Sequence, residues 1–170
     1  MTAGDIAAAV GGAIVAGEPG TLAERFSIDT RTLAPGDVFF AIRGERFDGE
    51  DFVGSALDAG AAGVISAKTG VSAAASRTGA FVVLVADTTA ALQDLARHVR
   101  RASGAKVVAI TGSAGKTTTK EATADFLSAR HRVFRNRGNL NNHIGLPLSL
   151  LELRHRPELA VVELGMSHPG

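Results

Sequence analysis

Residues 106–119 read Lys-Val-Val-Ala-Ile-Thr-Gly-Ser-Ala-Gly-Lys-Thr-Thr-Thr, an apolar run that breaks into a glycine turn and then a lysine. Triphosphate chemistry needs backbone N–H groups aimed at phosphate oxygens, and glycines let a chain curl tightly enough to present them at a helix N-terminus. Gly112, Ser113, Ala114, Gly115, Lys116, Thr117 and Thr118 are therefore the candidate phosphate-binding residues. Lys116 is suited to the β/γ-phosphates and the Thr117 hydroxyl to Mg²⁺. The common G-x-x-x-x-G-K-[ST] spacing would put glycine at position 110, where Ile110 stands, so a shorter loop is expected. Such a loop also needs an acid at the end of a neighbouring strand. Glu163, closing the apolar Leu159–Leu164 stretch, is that metal-site candidate.

Other chemistries find no matching pattern. There is no G-x-G-x-x-G for a dinucleotide, no Asn-Lys-x-Asp for guanine, and no H-x-x-x-H for helical zinc. Thr111 stands where a G-x-S-x-G elbow needs its first glycine, so Ser113 is not a hydrolase nucleophile. Cysteine is absent, which removes disulfides, thiolate metal sites and cysteine nucleophiles. His143 and His168 read as solvated loop histidines that could border a pocket.

The elements that must position these residues alternate. Thr2 to Val10 has helical spacing and meets Gly11-Gly12. Phe26–Ile42 holds two short strands around a Pro35-Gly36-Asp37 turn, and Arg43–Gly49 is too rich in charge and glycine for regular structure. Glu50–Ala59 predicts a helix burying Phe52, Val53, Ala56 and Leu57, followed by a strand at Gly63–Ser66. Residues 67–79 read as a loop or weak helix, and Phe81–Val85 as a strand buried on both faces. Asp87 is a candidate cap for a helix to Arg101, and Ser103-Gly104 is the expected domain boundary. Beyond it come a buried strand at Lys106–Thr111, a helix from Lys116 to Ala129, a strand at Arg132–Arg135 and a loop at Asn136–Asn142. A helix from Ile144 to Leu153 and the strand ending at Glu163 complete the pattern. This alternation predicts an α/β fold with parallel sheets.

Of 170 residues, 45% are apolar and 21% charged, ordinary values for a globular chain. Charge is uneven: residues 1–105 carry 9 Lys/Arg against 12 Asp/Glu, and residues 106–170 carry 9 against 5. The second part thus suits an anionic ligand. The small net charge of +1 and 8 aromatics, all Phe, argue against nucleic acid as a partner. No apolar run approaches the roughly 18 residues of a membrane span, and Met1–Gly17 contains Asp5 but no Lys or Arg. A cytoplasmic chain without membrane insertion is expected.

On its motifs the sequence resembles the Mur ligase family of ATP-dependent amide-forming enzymes. Thr111–Thr119 is similar to that family's short phosphate loop. Phe26–Arg31, Gly36–Ala41 and Gly44–Gly49 are similar to its N-terminal uridine-nucleotide-binding domain. Gly138-Asn-Leu-Asn-Asn-His-Ile-Gly-Leu-Pro147 and Glu163-Leu-Gly-Met166 look most like the branch that joins D-alanyl-D-alanine to UDP-N-acetylmuramoyl-tripeptide in peptidoglycan precursor assembly.

The resemblance implies a small α/β UDP-substrate-binding domain at 1–103. It is followed by an incomplete P-loop parallel-sheet ATP-binding domain at 104–170. ATP and Mg²⁺ are the implied cofactors, the tripeptide nucleotide and D-alanyl-D-alanine the implied partners, and a monomer the expected state of the complete enzyme. Lys116, Asn141, Asn142 and His143 are implied at the reacting centre, with Thr117 and Glu163 at the metal. Ser27, Thr30, Arg31, Arg46, Phe47 and Asp48 are implied around UDP: Arg31 on the diphosphate, Phe47 stacked on uracil, Asp48 accepting its N–H. Asp29–Arg31 as a surface ion pair and Phe47 as a loop anchor are the alternatives. Relatives continue past the third strand of the second domain, so a truncated ligase, inactive alone, is expected. A non-catalytic module that binds UDP-sugars or nucleotides is the competing reading.

Overall fold

The computed structural model describes residues 1–138 and 140–165. His168 and Met166 lie outside the described residues. The chain forms two compact units, Met1–Leu95 and Ala96–Gly170.

In the first unit, helix α1 (Ala3–Val10) starts at Thr2, whose hydroxyl accepts the Asp5 N–H while the Asp5 carboxylate accepts the Thr2 N–H. That reciprocal cap satisfies two otherwise orphaned donors. Strands β1 (Ala13–Ala16), β2 (Phe26–Ser27), β3 (Val38–Phe40), β4 (Gly63–Ser66) and β5 (Phe81–Leu84) form one sheet in the order β1-β5-β4-β3-β2. Only β1 runs antiparallel to its neighbour. Helices α2 (Val53–Asp58) and α3 (Ser72–Thr78) cover one face, where Phe39, Val64 and Val82 join Val53, Ala56, Leu57 and Ala75 in a buried cluster. Strand alternation sends Phe40, Ile65 and Val83 to the other face, and they are buried too. Two covered faces explain the continuous apolar lettering of these strands.

One expectation fails here. Phe52 is not on a buried helical face: residues Gly49–Phe52 form a 3₁₀ turn before α2. The tighter turn moves Phe52 out of phase with Val53, Ala56 and Leu57, and its exposed ring meets Phe47 edge-on at 6.2 Å. The division between the two compact units, Leu95/Ala96, lies within helix α4 (Thr88–Ser103). Asp87 caps α4 as expected, accepting the Ala90 N–H at 2.9 Å.

In the second unit, β6 (Lys106–Ile110), β7 (Val133–Arg135) and β8 (Leu159–Glu163) form a parallel sheet in the order β6-β8-β7. Helix α5 (Lys116–Ser128) joins β6 to β7, and α6 (Gly145–Leu150) precedes β8. Central β8 buries Ala160, Val161 and Val162. Strand β6, expected to be buried, is half-buried to exposed, because among the described residues it pairs on one side only. Its register is the useful fact: Ile110 lies opposite Glu163, so β6 and β8 end level. Whatever follows Ile110 therefore emerges beside the Glu163 side chain.

Candidate active site

The chain leaves β6, turns through Gly112–Gly115 and enters α5 at Lys116. Gly115 has φ +73° and Gly112 φ +149°, conformations that favour glycine, and Gly115 is the helix cap. The Lys116 ammonium donates to the Gly112 carbonyl at 2.7 Å, folding back over the turn. The loop is otherwise exposed, with its amides at the start of a 13-residue helix whose dipole favours an anion there.

Glu163, 4% exposed at the end of β8, faces this turn. The Thr117 hydroxyl donates to Glu163 Oε2 at 2.8 Å, and Asn141 Nδ2 donates to Oε1 at 2.8 Å. The Thr117 hydrogen bond holds the carboxyl below its ordinary range; burial opposes this, and the Asn141 bond and the charges of Lys120 and Lys116 reinforce it. An ionised acid beside a hydroxyl is a hard-oxygen donor set. Ligands about 2.0–2.1 Å from an octahedral Mg²⁺ stand about 2.9 Å apart along an edge, so the Thr117–Glu163 spacing fits this ion. Among the described residues no group of three or more acidic or histidine side chains gathers to hold a metal. A single protein carboxylate suits an ion that completes its shell with phosphate and water.

Three residues expected at the reacting centre separate in role. Asn141 belongs to the site, and its carbonyl also accepts the Gly165 N–H at 2.8 Å. A Cβ at position 165 would stand 2.9 Å from that carbonyl. Asn142 turns its Oδ1 to the N–H groups of Ile144 and Gly145, opening α6. His143 is exposed on the same turn.

The first unit places its candidates at and beyond the C-terminal ends of parallel β2 and β3, the edge where such sheets bind ligands. The Ser27 hydroxyl accepts the Asp29 N–H at 3.1 Å, and Thr30 is half-buried. Arg31, exposed, forks onto Asp29 with Nη2–Oδ2 at 2.6 Å and Nε–Oδ1 at 2.9 Å. The Arg31 side-chain bonds and its backbone N–H hold the Asp29 carboxyl down to about 2. Arg46 and Phe47 are exposed on the next loop. Asp48 Oδ1 accepts the Glu50 N–H at 3.0 Å, which lowers its pKa, and Oδ2 lies 3.4 Å from Lys68 Nζ.

Two site-supporting residues escape the sequence reading. Lys120 and Asn136 are both wholly buried: Lys120 donates to the Asn136 carbonyl, and Asn136 Oδ1 accepts the Glu163 N–H. The available signal was the spacing Lys116–Lys120–Ala124, which puts Lys120 on the face that α5 buries.

Residues 24–100 match the description Mur ligase family, catalytic domain, and residues 110–170 match Mur ligase middle domain. The chain belongs to the Mur ligase family. It is 41% identical over 150 residues to the UDP-N-acetylmuramoyl-tripeptide--D-alanyl-D-alanine ligase of Bacillus subtilis, covering 88% of this chain and 32% of that one. For the Escherichia coli enzyme of that name the identity is 44%, covering 84% and 30%. A crystal structure of MurF from Acinetobacter baumannii superposes with a TM-score of 0.87 at 38% identity, covering 99% of this chain and 36% of that one. MurF from Thermotoga maritima in complex with ADP gives 0.73 at 37%, covering 86% and 33%. This Mur ligase chain thus spans about a third of the length of the relatives it matches.

Proposed function

We propose that the chain is the substrate-nucleotide and phosphate-loop portion of a MurF-type ligase, which joins D-alanyl-D-alanine to UDP-N-acetylmuramoyl-tripeptide at the expense of ATP. Residues 1–103 bind the UDP substrate and residues 104–170 begin the ATP-binding domain. The observation that carries this reading is the Thr117–Glu163 contact of 2.8 Å beside the Gly112–Lys116 turn. Both named relatives bear the name of that ligase.

A carboxylate is a poor electrophile. Transfer of the γ-phosphoryl group of ATP to the tripeptide's terminal carboxylate releases ADP and gives an acyl phosphate. The D-alanyl-D-alanine amine then attacks the acyl carbon, phosphate leaves, and an amide forms with loss of a proton. Lys116 exchanges the Gly112 carbonyl for phosphate oxygens, and the loop amides hold the anion in place. Thr117 and Glu163 would hold Mg²⁺, which supplies positive charge to the transferring phosphoryl group. Asn141 fixes the Glu163 carboxylate from its other oxygen. In the first unit Ser27, Thr30, Arg31, Arg46, Phe47 and Asp48 hold the UDP moiety, Arg31 leaving Asp29 for the diphosphate.

Calorimetric titration of the 170-residue chain tests both halves, with Mg·ATP and with UDP-N-acetylmuramoyl-tripeptide. Saturable binding of each is expected, and failure to bind either one overturns the reading. Joining the chain to the remaining two thirds of the Bacillus subtilis ligase and adding D-alanyl-D-alanine separates a ligase from a binding module: ADP and amide identify the ligase, and binding of both nucleotides without either product identifies the module.

A further inference from the structure

Of the two lysines of α5, Lys116 and Lys120, Lys120 is the buried one. Its side chain is 0% exposed, one helical turn beyond Lys116. Burying an ammonium is costly unless its protons meet acceptors, and here they do. Nζ donates to the Asn136 carbonyl at 2.7 Å and lies 3.0 Å from Glu121 Oε1. Glu121 is tied in turn to Arg135 Nη1 at 2.6 Å, on β7.

Asn136, the residue after β7, passes this anchorage on. Its Oδ1 accepts the Glu163 N–H at 2.9 Å, and its Nδ2 donates to the Leu140 carbonyl at 2.9 Å. Asn141, next to Leu140, donates to Glu163 Oε1, and its carbonyl receives the Gly165 N–H. Bonds thus run from Lys120 through Asn136 to both the backbone and the carboxylate of Glu163. On the other side of that carboxylate stands Thr117, on the same helix as Lys120. The helix that offers one metal-site oxygen therefore also anchors the loop that aims the other.

We propose that Lys120 is a positioning residue: its buried ammonium, acting through Asn136, sets the Glu163 carboxylate at metal-sharing distance from Thr117 before any ligand arrives. The inference rests on the reading of Thr117 and Glu163 as the metal site. Lys120 touches neither phosphate nor metal. Its effect falls on the gain in nucleotide affinity that the metal provides, while the loop amides and Lys116 keep their hold on metal-free nucleotide.

The test compares ATP binding with Mg²⁺ and with EDTA, by calorimetry on the 170-residue chain, for the unaltered protein, Lys120→Met and Asn136→Ala. The unaltered chain should bind Mg·ATP more tightly than metal-free ATP. Lys120→Met should reduce that ratio at least tenfold and leave the metal-free dissociation constant within twofold. Asn136→Ala should do the same, and the double variant should lose no more than either single one. Should Lys120→Met not fold, by circular dichroism and thermal melting, Asn136→Ala decides alone. A ratio unchanged in the folded variants overturns the inference and leaves the metal site standing, as does an equal loss with and without Mg²⁺. A ratio of one in the unaltered chain removes the metal site itself, and the inference with it.

Discussion

Around Glu163, hydrogen bonds join residues far apart in sequence: Thr117 on α5, Asn136 after β7 and Asn141 in the following loop all converge on it. Around Arg31 the bonds stay local. Ser27, Asp29 and Arg31 bond to one another within a single turn, and the Arg31 side chain is 87% exposed. The first arrangement is fixed by tertiary structure before a ligand binds. The second is an exposed, charged turn whose groups would have to change partners in the proposed binding of UDP. Pre-organisation of this kind reduces the ordering cost of association, so the two regions should respond differently to substitution.

Lys116→Ala should have the largest effect. Loss of a charge-assisted clamp on phosphate is worth on the order of 3 kcal/mol, and isothermal titration should show Mg·ATP affinity falling about 100-fold with UDP-substrate affinity unchanged. Glu163→Gln keeps the shape but removes the charge, and should weaken Mg·ATP binding by about 2 kcal/mol while sparing metal-free ATP. Both results sharpen the contrast; an equal fall in UDP-substrate binding would break it. Gly115→Ala meets open space at Cβ but must hold φ +73°, a strain of about 1–2 kcal/mol. A lowered melting temperature together with weaker ATP binding is the expected reading.

In the first unit, Arg31→Ala should weaken UDP-N-acetylmuramoyl-tripeptide binding modestly, read by the same titration, without touching Mg·ATP. An unchanged constant removes Arg31 from that pocket. The smallest effect concerns acid. The Asp29 carboxyl is held at about 2 against an ordinary 3.8. The stability of its pair with Arg31 is therefore complete above pH 3.8 and lost as pH falls through about 2. Carbon-detected NMR titration should place the Asp29 midpoint there and show it rising towards 3.8 in Arg31→Ala.

The features legible in the sequence are the local ones. Strand, glycine turn and Gly-Lys-Thr announce themselves within fourteen letters at 106–119, and Glu163 is marked by the apolar run before it. Lys120 and Asn136 were not legible as site-supporting residues. Their burial depends on α5 lying against β7 and on β7 pairing with β8, information spread over more than forty residues, 120–163. Phe52 misled because helical period assumes 3.6 residues per turn, and a 3₁₀ turn has three. Strand β6 misled because a continuous apolar run signals two covered faces but says nothing of how many neighbours the strand has.

The Lys116–Gly112 bond has a consequence for selectivity and speed. A free lysine side chain gives up roughly 2 kcal/mol of rotamer freedom when immobilised. Here that freedom is surrendered when the turn forms, with Nζ 2.7 Å from a neutral carbonyl oxygen. In the proposed role, an arriving polyphosphate would need only to replace one acceptor by a charged, stronger one. A ligand without such an anion offers no better exchange, and the turn stays closed upon itself.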